Sequence, residues 1–66
     1  MEKLLLTNEV AEMLRVSEHY VRELLRERKL EGYKESRRSG YRIPYSAVTQ
    51  YIEMKIKEHK KSEVNS

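Results

Sequence analysis

The sequence predicts one small, mostly helical α+β domain with the order helix, helix, hairpin, helix. Two apolar stripes of helical period lie close together in the first half of the chain, a segment of period two surrounds Ser39 and Gly40, and a third helical stripe follows Pro44. A chain of 66 residues allows one domain, and so short a chain buries only about 60% of its unfolded surface. We therefore expect a small core held by packing alone.

The first helix is predicted from about Asn8 to Arg15, with Thr7 as its N-cap. Its apolar stripe consists of Val10, Ala11 and Leu14. The second helix is predicted from Glu18 to about Arg28, with Ser17 as its N-cap. Its stripe consists of Val21, Leu24 and Leu25. Because only two or three residues separate the helices, they must meet in the tight corner of a helix-turn-helix.

Apolar and charged residues alternate on both sides of Ser39-Gly40, which predicts a two-stranded β-hairpin with this pair at or near its tip. Gly40 is expected to let the backbone turn there. Pro44 ends the second strand and suits the start of a third helix, predicted from about Tyr45 to Glu58. Its apolar stripe consists of Val48, Tyr51, Ile52 and Ile56. Residues 59–66 have no apolar period, so residues 1–58 are predicted as a winged helix-turn-helix domain and residues 59–66 as a flexible polar tail.

Positive charge is concentrated in the middle of the chain. The formal net charge is +3, but the segment from Arg15 to Arg42 has nine basic and five acidic residues, a local net charge of +4. Such a basic segment is typical of proteins that bind polyanions. A solvated face of mixed charges, as on many small domains, is the alternative explanation.

Composition argues against several classes of function. The chain has no cysteine, and its two histidines lie too far apart in sequence for a metal cage, so we expect no metal and no cofactor. His19 and His59 have no nucleophile or acid at a recognisable spacing, and so short a chain cannot enclose a substrate, so we expect no enzyme. Leu4-Leu5-Leu6 is too short for a signal peptide or a membrane anchor, which makes the cytoplasm the expected location.

Four segments together resemble the excisionase-type branch of the MerR-like DNA-binding domains. They are LLTNEVAEMLRVS from Leu5 to Ser17, YVRELL from Tyr20 to Leu25, KL at Lys29-Leu30 and YRIPYSAVTQYI from Tyr41 to Ile52. The match runs in order over roughly residues 5–56. The chain departs from the family where members often have a glycine after the second helix, because Glu27-Arg28-Lys29 stands here, and at Tyr20, where a threonine is common.

The resemblance implies a winged helix-turn-helix that binds double-stranded DNA. Excisionases are recombination directionality factors of mobile elements: several copies bind adjacent sites, bend the DNA and help an integrase to excise it. The resemblance thus implies DNA, other copies of the chain and an integrase as partners, the last through the C-terminal tail. Full-length MerR-type regulators continue into a dimerisation helix and an effector-binding region, so we expect no small-molecule effector here.

The second helix provides the candidates for reading bases. With its apolar stripe buried, the side chains left to face a major groove are His19, Tyr20, Arg22, Glu23 and Arg26. Arg22 and Arg26 lie four residues apart on one face, and arginine reading guanine is the commonest specific contact. The alternative is that both arginines pair with Glu18 and Glu23 along the helix.

The hairpin provides the candidates for contacts with the DNA backbone. They are Lys34, Arg37, Arg38, Ser39 and Arg42. Arg42 alternates with the apolar pair Tyr41 and Ile43 and is expected to face outward, towards a phosphate. Arg37 and Arg38 can reach the backbone or a narrow minor groove, although a solvated loop stays open as the alternative. Thr7 and Ser17, as helix caps, are also candidates for binding a phosphate at a helix N-terminus.

Three functions remain open from the sequence. The first is an architectural DNA-binding protein of the excisionase type, and the second is a small transcriptional regulator of the same fold. A conventional repressor would form a symmetric dimer on a palindrome, but no heptad zipper is present, which favours copies bound side by side. The third function is a protein-interaction module whose basic segment is incidental.

Overall fold

The computed structural model describes residues 2–64 and has the predicted architecture, a mostly helical α+β winged helix-turn-helix. Its elements are β1 (Leu4–Leu5), α1 (Thr7–Leu14), α2 (Glu18–Arg26), β2 (Tyr33–Lys34), β3 (Tyr41–Pro44) and α3 (Tyr45–Val64). α1 and α2 form the helix-turn-helix, and β2 and β3 form the wing.

The sheet has one strand more than the sequence predicted. The three antiparallel strands have the order β1-β3-β2, with Leu5 opposite Ile43 and Tyr33 opposite Arg42. β1 is only two residues long, and three consecutive leucines have no period of two, so no sequence signal marks it as a strand. Pairing with β3 places the Leu5 side chain in the core, where it is 3% exposed.

One hydrophobic core joins all three helices to the sheet. Its buried side chains are Leu5, Val10, Ala11, Val21, Leu24, Leu25, Leu30, Ile43, Ala47, Val48 and Tyr51. The stripe predicted for α2 is confirmed completely, while in α1 Leu14 is only partly buried. In α3 the prediction is wrong for Ile52 and Ile56, which are 36% and 50% exposed. The core meets only the first part of α3, because α1 and α2 are too short to follow the rest.

α1 and α2 end in the same way. Arg15, directly after α1, and Arg28, two residues after the end of α2, have left-handed φ angles of 59° and 61°. Each is followed by a residue whose N–H closes the last turn: Val16 donates to the Ala11 carbonyl at 3.0 Å and Lys29 to the Leu24 carbonyl at 2.9 Å. This is the Schellman arrangement. The prediction that α2 continues to Arg28 is therefore wrong by two residues.

The predicted N-cap of α1 is also wrong. Leu6 occupies the cap position, its carbonyl accepts the first helical hydrogen bond from Val10 at 3.0 Å, and Thr7 is the first helical residue. Leucine has no polar side chain that could accept a hydrogen bond at the start of the helix. The Glu9 carboxylate instead accepts a hydrogen bond from the Leu6 N–H at 2.8 Å. A carboxylate in the first turn also suits the helix dipole.

α3 is longer than predicted and includes residues 59–64 of the predicted tail, whose flexibility stays a prediction. It continues past Glu58 to Val64, because the polar residues after Glu58 include good helix formers and neither glycine nor proline. The absence of an apolar period does not by itself end a helix. Residues 65–66 of the predicted tail lie outside the described residues.

The N-terminal segment closes the start of α3. The Tyr45 N–H donates to the Lys3 carbonyl at 3.0 Å, and the Ser46 N–H donates to the Glu2 carboxylate at 2.7 Å. These hydrogen bonds with Ser46 lower the pKa of Glu2 from its ordinary value. The cap of α3 is thus a carboxylate 44 residues away in sequence, which sequence reasoning missed.

Candidate nucleic-acid interface

α2 starts at a well-formed cap. The Ser17 side chain accepts a hydrogen bond from the Tyr20 N–H at 3.0 Å, which confirms the predicted cap. Val21, Leu24 and Leu25 then fix the rotation of the helix by facing the core. The rest of the helix surface is left to solvent or a ligand.

The exposed face of α2 carries a chain of weak ion pairs. Arg22 lies 3.9 Å from the Glu18 carboxylate, and Arg26 lies 3.4 Å from that of Glu23, which is also 3.8 Å from His19. The two arginine pairs are the ones that the sequence offered as the alternative to base reading. Every partner has at least a third of its side chain exposed, and such pairs contribute about 0.3–0.5 kcal/mol each. Because these pairs are weak, both arginines stay on the surface and can exchange their glutamates for a ligand.

Tyr20 does not join the other exposed residues of α2. Its ring lines an apolar groove of about 560 Å³ between the helix corner and α3, together with Tyr51, Ile52 and Ile56. Burial and a hydrogen bond with the Tyr20 hydroxyl raise the pKa of Tyr51 to about 12. The helical period alone does not show this, because Tyr20 lies at the edge of the exposed face next to α3.

The tip of the wing is the pair Arg37-Arg38. Lys34 lies opposite Tyr41, so residues 35–40 form the loop. The two arginines occupy its middle, and Ser39-Gly40 leads from them into β3. The loop is held by Ser36 and Ser39: each backbone N–H donates to the other hydroxyl, at 3.0 and 3.3 Å. The two serines therefore hold the turn.

Gly40 does not have the predicted part in the turn. Its φ is not in the left-handed region, and a Cβ built on it meets no atom within 4 Å. An ordinary residue would fit there, because the turn is closed by Ser36 and Ser39 rather than by a left-handed backbone.

The other basic side chains of the wing lie along its strands. The Lys34 ammonium lies over the Tyr41 ring, 5.0 Å from its centre. Arg42 is half-buried and donates to the Gly40 carbonyl at 3.3 Å. Both side chains are thus held against the hairpin, while Arg37 and Arg38 extend the positive charge to its tip.

A cleft of about 810 Å³ brings α2 and the wing together. Arg26 contributes from the last turn of α2, Tyr33 and Tyr41 contribute from the strands, and Arg28 contributes from the connection between them. Of the predicted helix residues, Arg26 alone lines this cleft, and the hairpin contributes Tyr33 and Tyr41 to it rather than the predicted wing residues. Thr7, in the first turn of α1, is not among the residues that line this cleft. Sequence reasoning missed Arg28, because its position depends on how α2 ends.

Residues 2–64 show neither of two other kinds of site. Their side chains include no group of three or more His, Cys, Asp or Glu that could hold a metal ion. In that same range, no helix has both the length and the apolar character needed to cross a bilayer.

The helix-turn-helix, the exposed arginines of its second helix and the adjacent basic wing define a DNA-binding domain. A family model described as a helix-turn-helix domain matches residues 4–55, and the chain belongs to that family of small DNA-binding domains. A search of curated proteins and a search of solved structures each found no significant match.

Proposed function

We propose that the protein binds duplex DNA in a sequence-specific manner, with α2 in the major groove and the wing at the adjacent minor groove. The observation that carries the proposal is the cleft, in which Arg26 of α2 lies beside Tyr33 and Tyr41 of the wing. An α-helix fits the major groove, and a hairpin beside it reaches across the phosphate backbone. The two basic elements therefore grip successive grooves of one duplex.

Arg22 and Arg26 are the proposed base-reading residues, with His19 and Glu23 beside them. A bidentate contact from arginine to guanine contributes about 1–3 kcal/mol of discrimination, more than an exposed ion pair along a helix. The free energy therefore favours a change in which the two arginines leave Glu18 and Glu23 and contact base edges. Tyr20 belongs to the groove beside α3, so we do not propose that it reads bases.

Arg37 and Arg38 are proposed to contact the backbone or the minor groove. Among the ion pairs of the described residues, none involves either of them, and the serine-held loop carries both at the far end of the wing. Lys34 and Arg42, nearer the sheet, are proposed to contact phosphates. Ser39, whose hydroxyl is hydrogen-bonded to Ser36, is proposed to contribute by holding the loop in place. Ser17 and Thr7 remain candidate phosphate seats at their helix starts.

A double substitution at the tip tests the wing. We expect Arg37→Ala with Arg38→Ala to weaken binding to all duplexes and to lower the magnitude of the log–log salt slope by about 0.9 for each phosphate that is no longer neutralised. Fluorescence anisotropy with a labelled duplex measures both. Lys57→Ala with Lys61→Ala is the matched control, because it removes the same charge from α3, away from the wing and the cleft. An equal weakening in the two double variants would mean that net charge alone matters, and the proposed wing contact would be wrong.

We further propose that the protein is an architectural factor of the excisionase type. The resemblance of residues 5–56 to excisionases supports this role, and so does a helix and wing that grip successive grooves, since bending the duplex extends such contacts. The bend costs a few kcal/mol, which added phosphate contacts offset. Several copies would bind side by side near an integrase, and contact with the integrase through residues 59–66 stays a prediction.

Gel mobility on the attachment region of the protein's own mobile element separates this role from transcriptional repression. A ladder of cooperative complexes, whose mobility changes with the position of the site along the fragment, is expected from a bending protein that binds repeated sites. A single complex on a palindromic promoter, with no effect of site position, would instead identify a repressor. That result would contradict the proposed role in recombination and would leave the proposed DNA binding unaffected.

A further inference from the structure

The end of α2 has an arginine where the backbone favours glycine. Arg28 has a φ of 61°, and its N–H donates to the Leu25 carbonyl at 3.2 Å while the next N–H, of Lys29, donates to Leu24 at 2.9 Å. These two bonds form the Schellman motif, which needs a left-handed residue at this position. Glycine takes that conformation without a steric penalty, whereas a side chain with a Cβ does not. The backbone at position 28 therefore tolerates an arginine without favouring one.

Arg28 lies in the connection between the two DNA-binding elements. It lines the cleft that Arg26 enters from α2 and that Tyr33 and Tyr41 enter from the wing. Glu31 is the one acidic residue among those that line the cleft. Two arginines against one carboxylate leave the cleft with a net positive charge, and this favours an anion.

Arg28 also differs from its basic neighbours in having no partner among the described side chains. Arg26 pairs with Glu23 at 3.4 Å, and Lys29 pairs with Glu27 at 3.2 Å. Within residues 2–64, no hydrogen bond or ion pair engages the Arg28 guanidinium, and the residue is exposed. Its five N–H donors are thus available for a planar or tetrahedral oxyanion.

We propose that Arg28 binds a backbone phosphate of the duplex in the cleft between α2 and the wing. The proposal rests on the proposed function, since it needs α2 and the wing to occupy neighbouring grooves. The sugar-phosphate strand separates those grooves, so a cation between the two elements faces that strand. The contact positions the protein on the duplex and does not read its sequence.

Replacing Arg28 by glycine separates this role from a structural one. Arg28→Gly relieves the left-handed backbone, so we expect a melting temperature equal to or above that of the wild type. We expect the same variant to bind duplex about fivefold more weakly at about 0.15 M salt, with a log–log salt slope lower in magnitude by about 0.9, the effect of one phosphate contact. Thermal melting and anisotropy titrations at several salt concentrations give the three values. Arg28→Lys keeps the charge and should keep most of the slope.

Arg15→Gly is the matched control. Arg15 ends α1 with the same left-handed φ and the same hydrogen-bond pattern, carries the same charge and does not line the cleft. It should melt no lower than the wild type and keep both affinity and slope. Wild-type affinity in Arg28→Gly, or an equal weakening in Arg15→Gly, would overturn the assignment of Arg28 while leaving DNA binding intact. A wild-type protein with no salt-dependent affinity would instead overturn the proposed function, and the Arg28 site with it.

Discussion

Gly32 lies close against two side chains of the core. A Cβ at this position would lie 2.7 Å from Leu25 Cδ2, 3.1 Å from Ile43 Cγ1 and 3.2 Å from the Arg42 carbonyl oxygen. Leu25 and Ile43 are both buried, so moving either side chain aside disturbs the core. The connection from α2 to the wing therefore depends on a missing side chain, not on a special backbone angle.

We expect Gly32→Ala to destabilise the fold by about 1–3 kcal/mol, the usual range for overpacking a core. Gly40→Ala is the control, because a Cβ there meets nothing within 4 Å and the backbone is not left-handed. That variant should be neutral or slightly stabilising. Urea denaturation of both variants measures the difference. Equal stability of the two would show that Leu25 and Ile43 do not pack against Gly32 as described.

Residue-scale features divide into those that the sequence reveals and those that it does not. Ser17 was predicted as a cap because its chemistry is local, and the prediction is confirmed. Thr7 was predicted by the same rule and is wrong, because the Glu9 side chain can serve a helix that starts one residue earlier. Whether Arg28 is left-handed depends on where α2 stops, and that is set by packing of the helix end.

At the scale of elements, the start of α3 depends on a segment from the other end of the chain. The Glu2 carboxylate accepts a hydrogen bond from the Ser46 N–H, and hydrogen bonding to Ser46 lowers the pKa of Glu2. A carboxyl with a lowered pKa in the folded state stabilises the fold above its unfolded pKa. This contribution is lost as the pH falls through the folded value.

We therefore expect Glu2→Gln to lower the melting temperature at pH 7, and the difference from wild type to shrink as the pH falls below the ordinary glutamate value of 4.5. Melting curves between about pH 3 and 7 measure this. Glu53→Gln, on the same helix as Ser46, is the control, because among the described residues no hydrogen bond or ion pair involves the Glu53 side chain. A constant difference across that pH range would mean that Glu2 acts through something other than its charge.

The accuracy with which each helix or strand was predicted depends on how clearly its apolar residues repeat. α1 and α2 each have an apolar stripe of helical period that ends near a polar cap, and both were predicted to within two residues. β1 has only two residues and forms because β3 offers an edge, so nothing local identifies it. α3 was predicted too short, since the apolar period stops where the helix leaves the core and the helix itself does not stop there.

At the scale of the whole molecule, the candidate interface depends on contacts between distant parts of the chain. The sequence predicted the basic residues of α2 and of the wing separately. That Arg26, Tyr33 and Tyr41 line one cleft follows from the packing of Leu25 and Leu30 around Gly32 and Ile43. The rotation of α2 that buries Val21, Leu24 and Leu25 leaves Tyr20 in the groove with Tyr51, which no pattern in α2 alone could show.

The basic helix and the wing are proposed to bind the phosphates of duplex DNA together. The most direct test is the equilibrium affinity of the wild-type protein for a duplex of about 30 base pairs as salt rises from about 50 to 200 mM. If four of the basic groups each neutralise one phosphate, the logarithm of the association constant falls with the logarithm of salt concentration with a slope of about −3.6. An affinity that stays flat over this range would contradict the claim.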